Sequence, residues 1–256
     1  MASLSATTLQ PETTAAFDHY VHTAEQRMAA DQSADNFLYL DALPPSDRRA
    51  ARDRLHHAEV LTQRLEALDA GHSIPIPGGL VHHWIGAVFI PGTTLQQTLA
   101  FLQDYDHQSR FYAPDVQRSR LLSRDGNHFQ VSLRLKRTKI VTVYLDTEYD
   151  VTYSQLDATR ASARSYSTRI AEVENAGRPN ERNRPVGQDN GFLWRLNSYW
   201  HFIQRDGGTY VQLEAISLTR DIPTGLDWIV RPFITSIPQE SLAFTLTRTR
   251  EALTPK

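Results

Sequence analysis

The last third of the chain carries two long runs in which apolar and polar side chains alternate, Gly191–Arg205 and Gly208–Arg220. The turn Asp206-Gly207-Gly208 joins them, and its chemistry is typical of a tight antiparallel hairpin. An apolar, amphipathic segment, Gly225–Leu253, then follows the hairpin, and its pattern favours a helix. The combination predicts an α+β fold in which a curved antiparallel sheet wraps around a C-terminal helix.

Two prolines, Pro232 and Pro238, interrupt this C-terminal segment. Each proline removes an amide donor and clashes with the preceding helical turn. The sequence therefore predicts a short helix, a kink and then a regular helix over Gln239–Leu253. The first half carries Trp228 and Phe233, which we expect to lie where a helix would gate a pocket.

Runs of strand-like sequence in hairpin order fill the middle of the chain. The longest of them, Ile140–Tyr153, would extend ~45 Å at ~3.3 Å per residue. Strands of that length must twist and coil, so they wrap a helix more readily than they form a flat sandwich. The polar segment Asn175–Asn190 has no periodicity and predicts a long loop that is mobile or acts as a lid. The expected strands are Val116–Ser123, His128–Arg137, Ile140–Tyr153, Ala158–Glu174, Phe192–Gln204 and Thr209–Arg220.

The beginning of the chain has a helical pattern instead. Pro11 opens a helix that runs to about Ala30, and Pro44-Pro45-Ser46-Asp47 starts a second helix that ends near His57. We predict an N-terminal helical extension over residues 1–57 and one main domain over residues 58–256. The elements expected at the start of the main domain are the strands Val60–Leu68 and Leu80–Ile90 and the helices Leu95–Tyr105 and His107–Tyr112.

Composition and charge exclude several classes of function. The formal net charge of −2 does not provide the positive field that nucleic acid requires, so no nucleic-acid partner is predicted. The absence of cysteine excludes disulfides, thiolate nucleophiles and cysteine-based zinc sites. No apolar run approaches the ~20 residues of a membrane-spanning helix, so no integral membrane segment is predicted. The first residues lack a signal-peptide pattern; a cysteine-free chain also suits a periplasmic or secreted protein whose signal peptide was removed, and the compartment and oligomeric state stay open.

Alternation also predicts which side chains face the interior of the sheet. One face of Ala158–Glu174 consists of small residues, which either leave volume unfilled or allow a helix to approach closely. The large aromatic side chains expected on the same face would stack on a flat ligand or fill the core. The small residues are Ala161, Ala163, Ser165, Ser167 and Ala171. The expected ligand contacts are Leu133, Val143, Tyr149, Trp194, Trp200, Leu213, Glu214, Trp228, Phe233 and Ile237.

Candidate chemistry is sparse. Glu214 would orient a polar head group if it lay buried near an arginine, or would form a structural ion pair at the rim of the sheet. His82 and His83 are adjacent on a strand and point to opposite faces, so they cannot bind one metal together; we expect one surface histidine beside a packed one. No Gly-x-Ser-x-Gly motif or glycine-rich phosphate loop is present. No catalytic residue, metal ligand or cofactor is predicted.

The order of one strand, two short helices, six antiparallel strands and a long helix resembles the START-like superfamily, also called the helix-grip or polyketide-cyclase/lipid-transport fold. The resemblance covers about Gly79 to Leu253 and is carried by Leu80–Ile90 with the following Pro91-Gly92-Thr93-Thr94, and by Glu214–Pro223. The last segment resembles a bacterial subgroup, some of whose members carry export signals. The resemblance implies a hydrophobic tunnel between sheet and helix. Members bind sterols, phospholipids, hormones or polyketides, and some are cyclases or hydrolases with no shared catalytic residue.

Three hypotheses follow for function. The leading one is a non-enzymatic carrier or sensor for a hydrophobic small molecule, lipid-like or isoprenoid-like. The second is a cyclase or hydrolase acting on a polyketide-like substrate in the same cavity, with Glu214 or a tyrosine as acid or base. The third is an interaction module, in which the helices between Pro11 and His57 dock a protein partner or a second copy.

Overall fold

The structure is a computed structural model that describes residues 7–31, 36–139, 141–221 and 227–254, apart from the side chains of residues 31 and 227–235. The helices are α1 (Pro11–Asp31), α2 (Pro45–His56), α3 (Leu95–Gln103), α4 (Gln108–Phe111) and α5 (Asp227–Leu253), with 3₁₀ turns at Tyr39–Ala42 and Tyr105–His107. The strands are β1 (Thr7–Thr8), β2 (Leu61–Arg64), β3 (Leu68–Asp69), β4 (His72–Ser73), β5 (Gly79–Pro91), β6 (Val116–Asp125), β7 (His128–Thr138), β8 (Thr142–Gln155), β9 (Arg160–Glu174), β10 (Arg182–Asn183), β11 (Gln188–Asp189), β12 (Arg195–Arg205) and β13 (Gly208–Arg220).

One large antiparallel sheet organises the molecule. It has nine strands in the order β2-β5-β13-β12-β9-β8-β7-β6, and β10 pairs with β9. The strands from β6 to β9 follow one another as neighbours, whereas β5 pairs with the last strand, β13. Helices α3 and α4 fill the connection between β5 and β6, and α5 follows β13. The predicted α+β helix-grip class is confirmed.

Helix α5 lies against one face of this sheet, which we call the concave face. At the β2 edge the Gln239 side chain donates to Thr62 Oγ1 at 3.0 Å, and on the next strand, β5, a Cβ on Gly86 would lie 2.5 Å from Leu242 Cδ2, so the bare backbone lets the helix approach. Near the other side of the sheet, Lys139, which follows β7, has its Nζ 2.6 Å from Glu240. Because α5 contacts residues near both sides of the sheet, the sheet curls around it.

The opposite, convex face is covered by the N-terminal helices. The buried side of α1, from Phe17 to Met28, packs against Ile216 and Leu218 of β13. The 3₁₀ turn and α2 cover the next part of the face, where Leu55 joins a cluster with Phe89 and Tyr210. Strand β13 is therefore buried on both sides along nearly its whole length, which hides the alternation expected of a strand with one wet face.

Three local expectations are wrong. Helix α5 runs from Asp227 to Leu253, so Pro232 and Pro238 do not divide the segment into two helices, whereas a bend of the helix at these prolines stays a prediction. The expected strand Val60–Leu68 is limited to β2 and a separate short β3. The segment Asn175–Asn190 is not a structureless loop, since it contains β10 and β11, and its charged residues pair with the sheet.

Ion pairs account for the order of that segment. Glu181 lies 3.0 Å from Arg134, a buried residue of β7. Arg182 and Arg184 both contact Glu174 at the end of β9, at 2.7 and 2.8 Å. A polar sequence without a hydrophobic pattern thus acquires structure from partners on distant strands. Among the described residues, no helix combines the length and the apolar character needed to cross a membrane.

Candidate functional site

The concave face contains a row of small side chains in the middle of the sheet. Ser165 of β9 pairs with Ser198 of β12, and Ser198 pairs with Ala215 of β13. All three side chains are half-buried, although they lie on the face that α5 covers. We call these three residues the hollow. Trp84 is in register beside Ala215 and is also half-buried.

The hollow uses only part of the small-residue face expected on β9. Ala161 and Ala163 are in register with Phe202 and Trp200, and those aromatic rings, stacked 6.0 Å apart, belong to the same buried cluster. The two alanines thus make room for neighbouring rings. Ala171 lies on the other side of the strand, because a bulge opposite Glu148 and Tyr149 shifts the alternation.

A second set of side chains borders the hollow one row further along the sheet. Tyr149 pairs with Ser167, and Ser217 pairs with His82. Ser167 lies beside Leu196, whose amide donates to Ser167 Oγ at 2.9 Å, and Leu196 pairs with Ser217. Tyr149, Ser167, Ser217 and His82 therefore run across the concave face as what we call the polar row.

His82 is an uncharged member of this row. It is buried, and its Nε2 lies 3.0 Å from Thr219 Oγ1. Loss of water around the ring, together with the positive charge of Arg64, lowers the pKa of His82 to about 4. The imidazole is neutral near pH 7 and can donate from one nitrogen and accept at the other.

Tyr149 is the other end of the row. Its side chain is 7% exposed, and burial raises its pKa to about 12, with a small opposing effect of the Thr147 hydroxyl. Thr147 itself donates to the carbonyl oxygen of Leu133 at 3.1 Å. The Tyr149 hydroxyl has no hydrogen-bond partner of normal geometry within the described part of the chain. Buried hydroxyls are nearly always bonded, so this one requires an explanation.

The structure brings several of the expected ligand contacts to this face. Tyr149, Trp200 and Leu213 belong to, or pack against, one cluster together with Leu133. Ile237 is half-buried on α5. Trp228 and Phe233 also belong to α5, but their side chains lie outside the described residues.

Three other expected contacts lie elsewhere. Trp194 packs with the α1 cluster on the convex face and donates from Nε1 to Asp189 at 3.0 Å, because it precedes β12 and does not follow that strand's alternation. Glu214 is also on the convex face. Val143 lines a separate cleft of about 390 Å³ at the ends of β8 and β9.

Glu214 forms a buried network with α1. Its carboxylate is 2% exposed, lies 2.6 Å from His83 Nε2 and is also bonded by Arg27. The other nitrogen, His83 Nδ1, lies 3.0 Å from the Tyr20 hydroxyl, which accepts from the Ala67 amide at 2.9 Å. Donation from His83 Nε2 to Glu214 and from the Tyr20 hydroxyl to His83 Nδ1 would satisfy every bond in this network. The network therefore ties α1 to the sheet on the face opposite the hollow.

The two adjacent histidines do point to opposite faces, as expected. The expectation of a surface histidine is wrong, however, because His82 and His83 are both buried. Each face of β5 has its own covering layer, α5 on one side and the N-terminal helices on the other. Within the described residues, no group of three or more potential ligands could hold a metal ion.

The cleft near Val143 is polar. Its wall includes Glu172, whose carboxylate accepts from the backbone and side chain of Asn190 and from the Phe192 amide. Burial and the nearby charge of Asp189 raise the pKa of Glu172. This carboxylate is occupied in fixing the end of the segment before β12, so the cleft offers little unused chemistry.

The elements along the chain, one long strand, two short helices, six antiparallel strands and a long helix held in the concave face, make up a helix-grip arrangement. The fold is START-like. No protein-family model matches the chain, and no curated protein matches it. The similar solved structures include a STAR-related lipid transfer protein from Xanthomonas axonopodis, which has 17% identity over 75% of this chain and 98% of that chain, with a TM-score of 0.47.

Two further START-like structures show the same level of similarity. The Zhui aromatase/cyclase from Streptomyces sp. R1128 is 12% identical over 68% of this chain and 94% of that chain, with a TM-score of 0.47. Human STARD10 is 10% identical over 83% of this chain and 80% of that chain, with a TM-score of 0.45. These likenesses concern the fold.

Alternation predicts that Ser165 and Ala215 of the hollow face the interior of the START-like sheet, but it gives no sign of Ser198 or of the adjacent Trp84. Neither of these carries a motif, and the hollow forms only through the pairing of β5 with β13, of β13 with β12 and of β12 with β9. The sequence contains only a weak indication of the hollow, namely a small residue in each of three strands, at positions that strand pairing later brings side by side. His82 was recognised, but its place beside Ser217 follows from the same pairing.

Proposed function

We propose that the chain binds a hydrophobic small molecule between the concave face and α5, as a carrier or sensor. The hollow is the observation that carries the proposal. Small side chains at Ser165, Ser198 and Ala215 stay half-buried in the middle of the sheet, and the indole rings of Trp84 and Trp200 flank them. Apolar walls with a few polar groups are typical of sites that bury most of a small ligand.

Two features weigh against the other hypotheses. The cyclase or hydrolase hypothesis assigns acid–base chemistry to Glu214 or a tyrosine, yet Glu214 lies on the far side of the sheet from the hollow and is bonded there by His83 and Arg27. Burial raises the pKa of Tyr149 to about 12, so its hydroxyl stays protonated at neutral pH and cannot serve as the base. The interaction-module hypothesis needs an unused apolar side on α1, whereas that side is packed on β13.

Native mass spectrometry of the purified protein before and after organic extraction tests the proposal. We expect a discrete additional mass that extraction removes. The substitution Ser198→Trp places a large side chain in the hollow and should lower the bound fraction at least tenfold. Ser154→Trp provides the matched control, since Ser154 is an exposed residue of β8.

The two variants give opposite expectations. The control should carry the same additional mass as the unmodified protein. If Ser198→Trp folds with an unchanged circular dichroism spectrum and still carries the full ligand, the hollow is not the binding site. If added hydrophobic probes bind neither variant nor the unmodified protein, the proposed function is wrong.

A further inference from the structure

The polar row adds a chemical constraint to the site. Tyr149 lies diagonally across from Ser165, and His82 lies diagonally across from Ala215, so the two groups stand at opposite ends of the hollow. Four strand spacings separate them, which corresponds to ~19 Å along a flat sheet and less on a curved one. A ligand in the hollow would meet the hydroxyls and the imidazole of the polar row along one side.

Every member of that row is uncharged near pH 7. Ser167 and Ser217 are hydroxyls, Tyr149 is a protonated phenol, and His82 is a neutral imidazole. In the neighbouring row in the other direction, Trp200 pairs with Leu213 and with Ala163, and the hydroxyl of Tyr153, the next residue of that row, is already bonded to Tyr105 at 2.9 Å. A carboxylate or phosphate bonded to Tyr149 would lose its water without gaining an opposite charge, which is costly, because the cation that acts on the row, Arg64, lies at the other end beside His82.

The unbonded hydroxyl of Tyr149 is the second, independent indication of a ligand. It is buried and projects from the face that holds the hollow, one strand away from Ser165. A hydroxyl in such a place is stable only if something else supplies its hydrogen bond. An oxygen atom of a bound molecule would do so.

We propose that the ligand is an uncharged amphiphile, a hydrophobic alcohol or carbonyl compound, whose oxygen bonds to the Tyr149 hydroxyl while its apolar body covers the hollow towards Trp200 and Leu213. This inference rests on the proposed function and narrows its ligand class. Fatty acids and phospholipids are excluded as preferred ligands, since both carry a charged group.

The test compares all-trans-retinol with all-trans-retinoic acid, which share one polyene skeleton and differ in charge at neutral pH. Binding is measured at pH 7.5 by quenching of the intrinsic tryptophan fluorescence, to which Trp84 and Trp200 beside the hollow contribute. We expect retinol to bind at least about tenfold more tightly than retinoic acid. Tyr149→Phe should weaken retinol binding about three- to tenfold, the value of one hydrogen bond, and should change retinoic acid binding by less than about twofold.

Tyr144→Phe is the matched control. Tyr144 is a half-buried residue of the same strand on the convex face, so its substitution should leave both affinities unchanged. If retinoic acid binds as tightly as retinol, the inference is wrong and the proposed function still stands. If Tyr149→Phe binds retinol normally, Tyr149 is not the polar contact. If neither compound binds, the inference and the proposed function both fail.

Discussion

Two buried tyrosines show how a single hydroxyl can serve different purposes. The Tyr20 hydroxyl accepts from the Ala67 amide and lies 3.0 Å from His83 Nδ1, so it completes a network between α1 and the sheet. The Tyr149 hydroxyl, equally buried, has no such partner among the described residues. The Tyr20 hydroxyl stabilises the fold, whereas the Tyr149 hydroxyl, by our proposal, bonds to the ligand.

The stability of two phenylalanine variants should separate these roles. Tyr20→Phe leaves a buried amide and a ring nitrogen without partners, so it should lower the free energy of unfolding by ~1–3 kcal/mol. Tyr149→Phe removes an unsatisfied group and should change that free energy by less than ~0.5 kcal/mol, or raise it. Urea unfolding of the ligand-free protein measures both. Equal losses in the two variants would mean that Tyr149 is bonded within the fold.

At the scale of elements, α1 acts as a covering layer of the sheet. Its buried positions include Ala24, which is 0% exposed, while Ala29 of the same helix is exposed. The N-terminal helices cover apolar strands that would otherwise face water. An unpaired patch of that kind usually marks an interface or leads to aggregation.

One substitution at two positions tests how firmly α1 is held. Ala24→Asp would bury a carboxylate against Ile216 and Leu218, and we expect a loss of ~3 kcal/mol or more in the free energy of unfolding. Ala29→Asp, on the exposed side, should stay within ~0.5 kcal/mol of the unmodified protein. Chemical unfolding curves of both variants measure these free energies of unfolding. Similar stabilities for the two variants would show that α1 is only loosely attached.

Alternation of side chains predicts the long strands within a few residues, as His128–Arg137 against the observed β7 illustrates. It fails for faces. Strand β13 is buried on both sides, so its sequence of apolar and polar residues does not reveal that Glu214 lies on the α1 side and Leu213 on the α5 side. The bulge in β9 reverses the orientation of Ala171 in the same way. Such features depend on distant partners, which a local pattern does not contain.

The same limit explains why the site was only partly predicted. Leu133, Tyr149, Trp200 and Leu213 follow from alternation within single strands, and the structure brings them to the concave face. The hollow instead depends on the register between strands that are far apart in sequence. The order of the segment Asn175–Asn190 depends on pairs such as Glu181 with Arg134, and isolated charges give no signal of their partners.

At the scale of the whole molecule, burial lowers the pKa of a histidine on each face of the sheet. His82 lies on the concave face near Arg64, and His201 lies on the convex face, where burial is the main cause that lowers its pKa to about 4, Glu214 raises it and Arg27 lowers it. The buried carboxylates Glu172 and Asp189 have raised pKa values and act in the opposite direction. Carboxylates with a lowered pKa, such as Asp146 and Glu181, act in the same direction as the histidines, and the pH dependence of stability is the sum over all these groups.

We expect each histidine to make the protein sensitive to mild acid. Below the ordinary pKa of 6.5 the unfolded chain binds protons that the folded protein excludes, so stability is complete above pH 6.5 and is lost as the pH falls towards 4. At pH 5 the loss is ~2 kcal/mol per histidine relative to pH 7.5. His82→Gln and His201→Gln should each remove about that much of the difference between the two pH values, measured by urea unfolding, while the carboxylate contribution cancels in the comparison. If both variants keep the full acid sensitivity of the unmodified protein, the two imidazoles are not neutral in the folded state. His82 would then be a charged residue of the polar row, which contradicts the proposal that the row is uncharged.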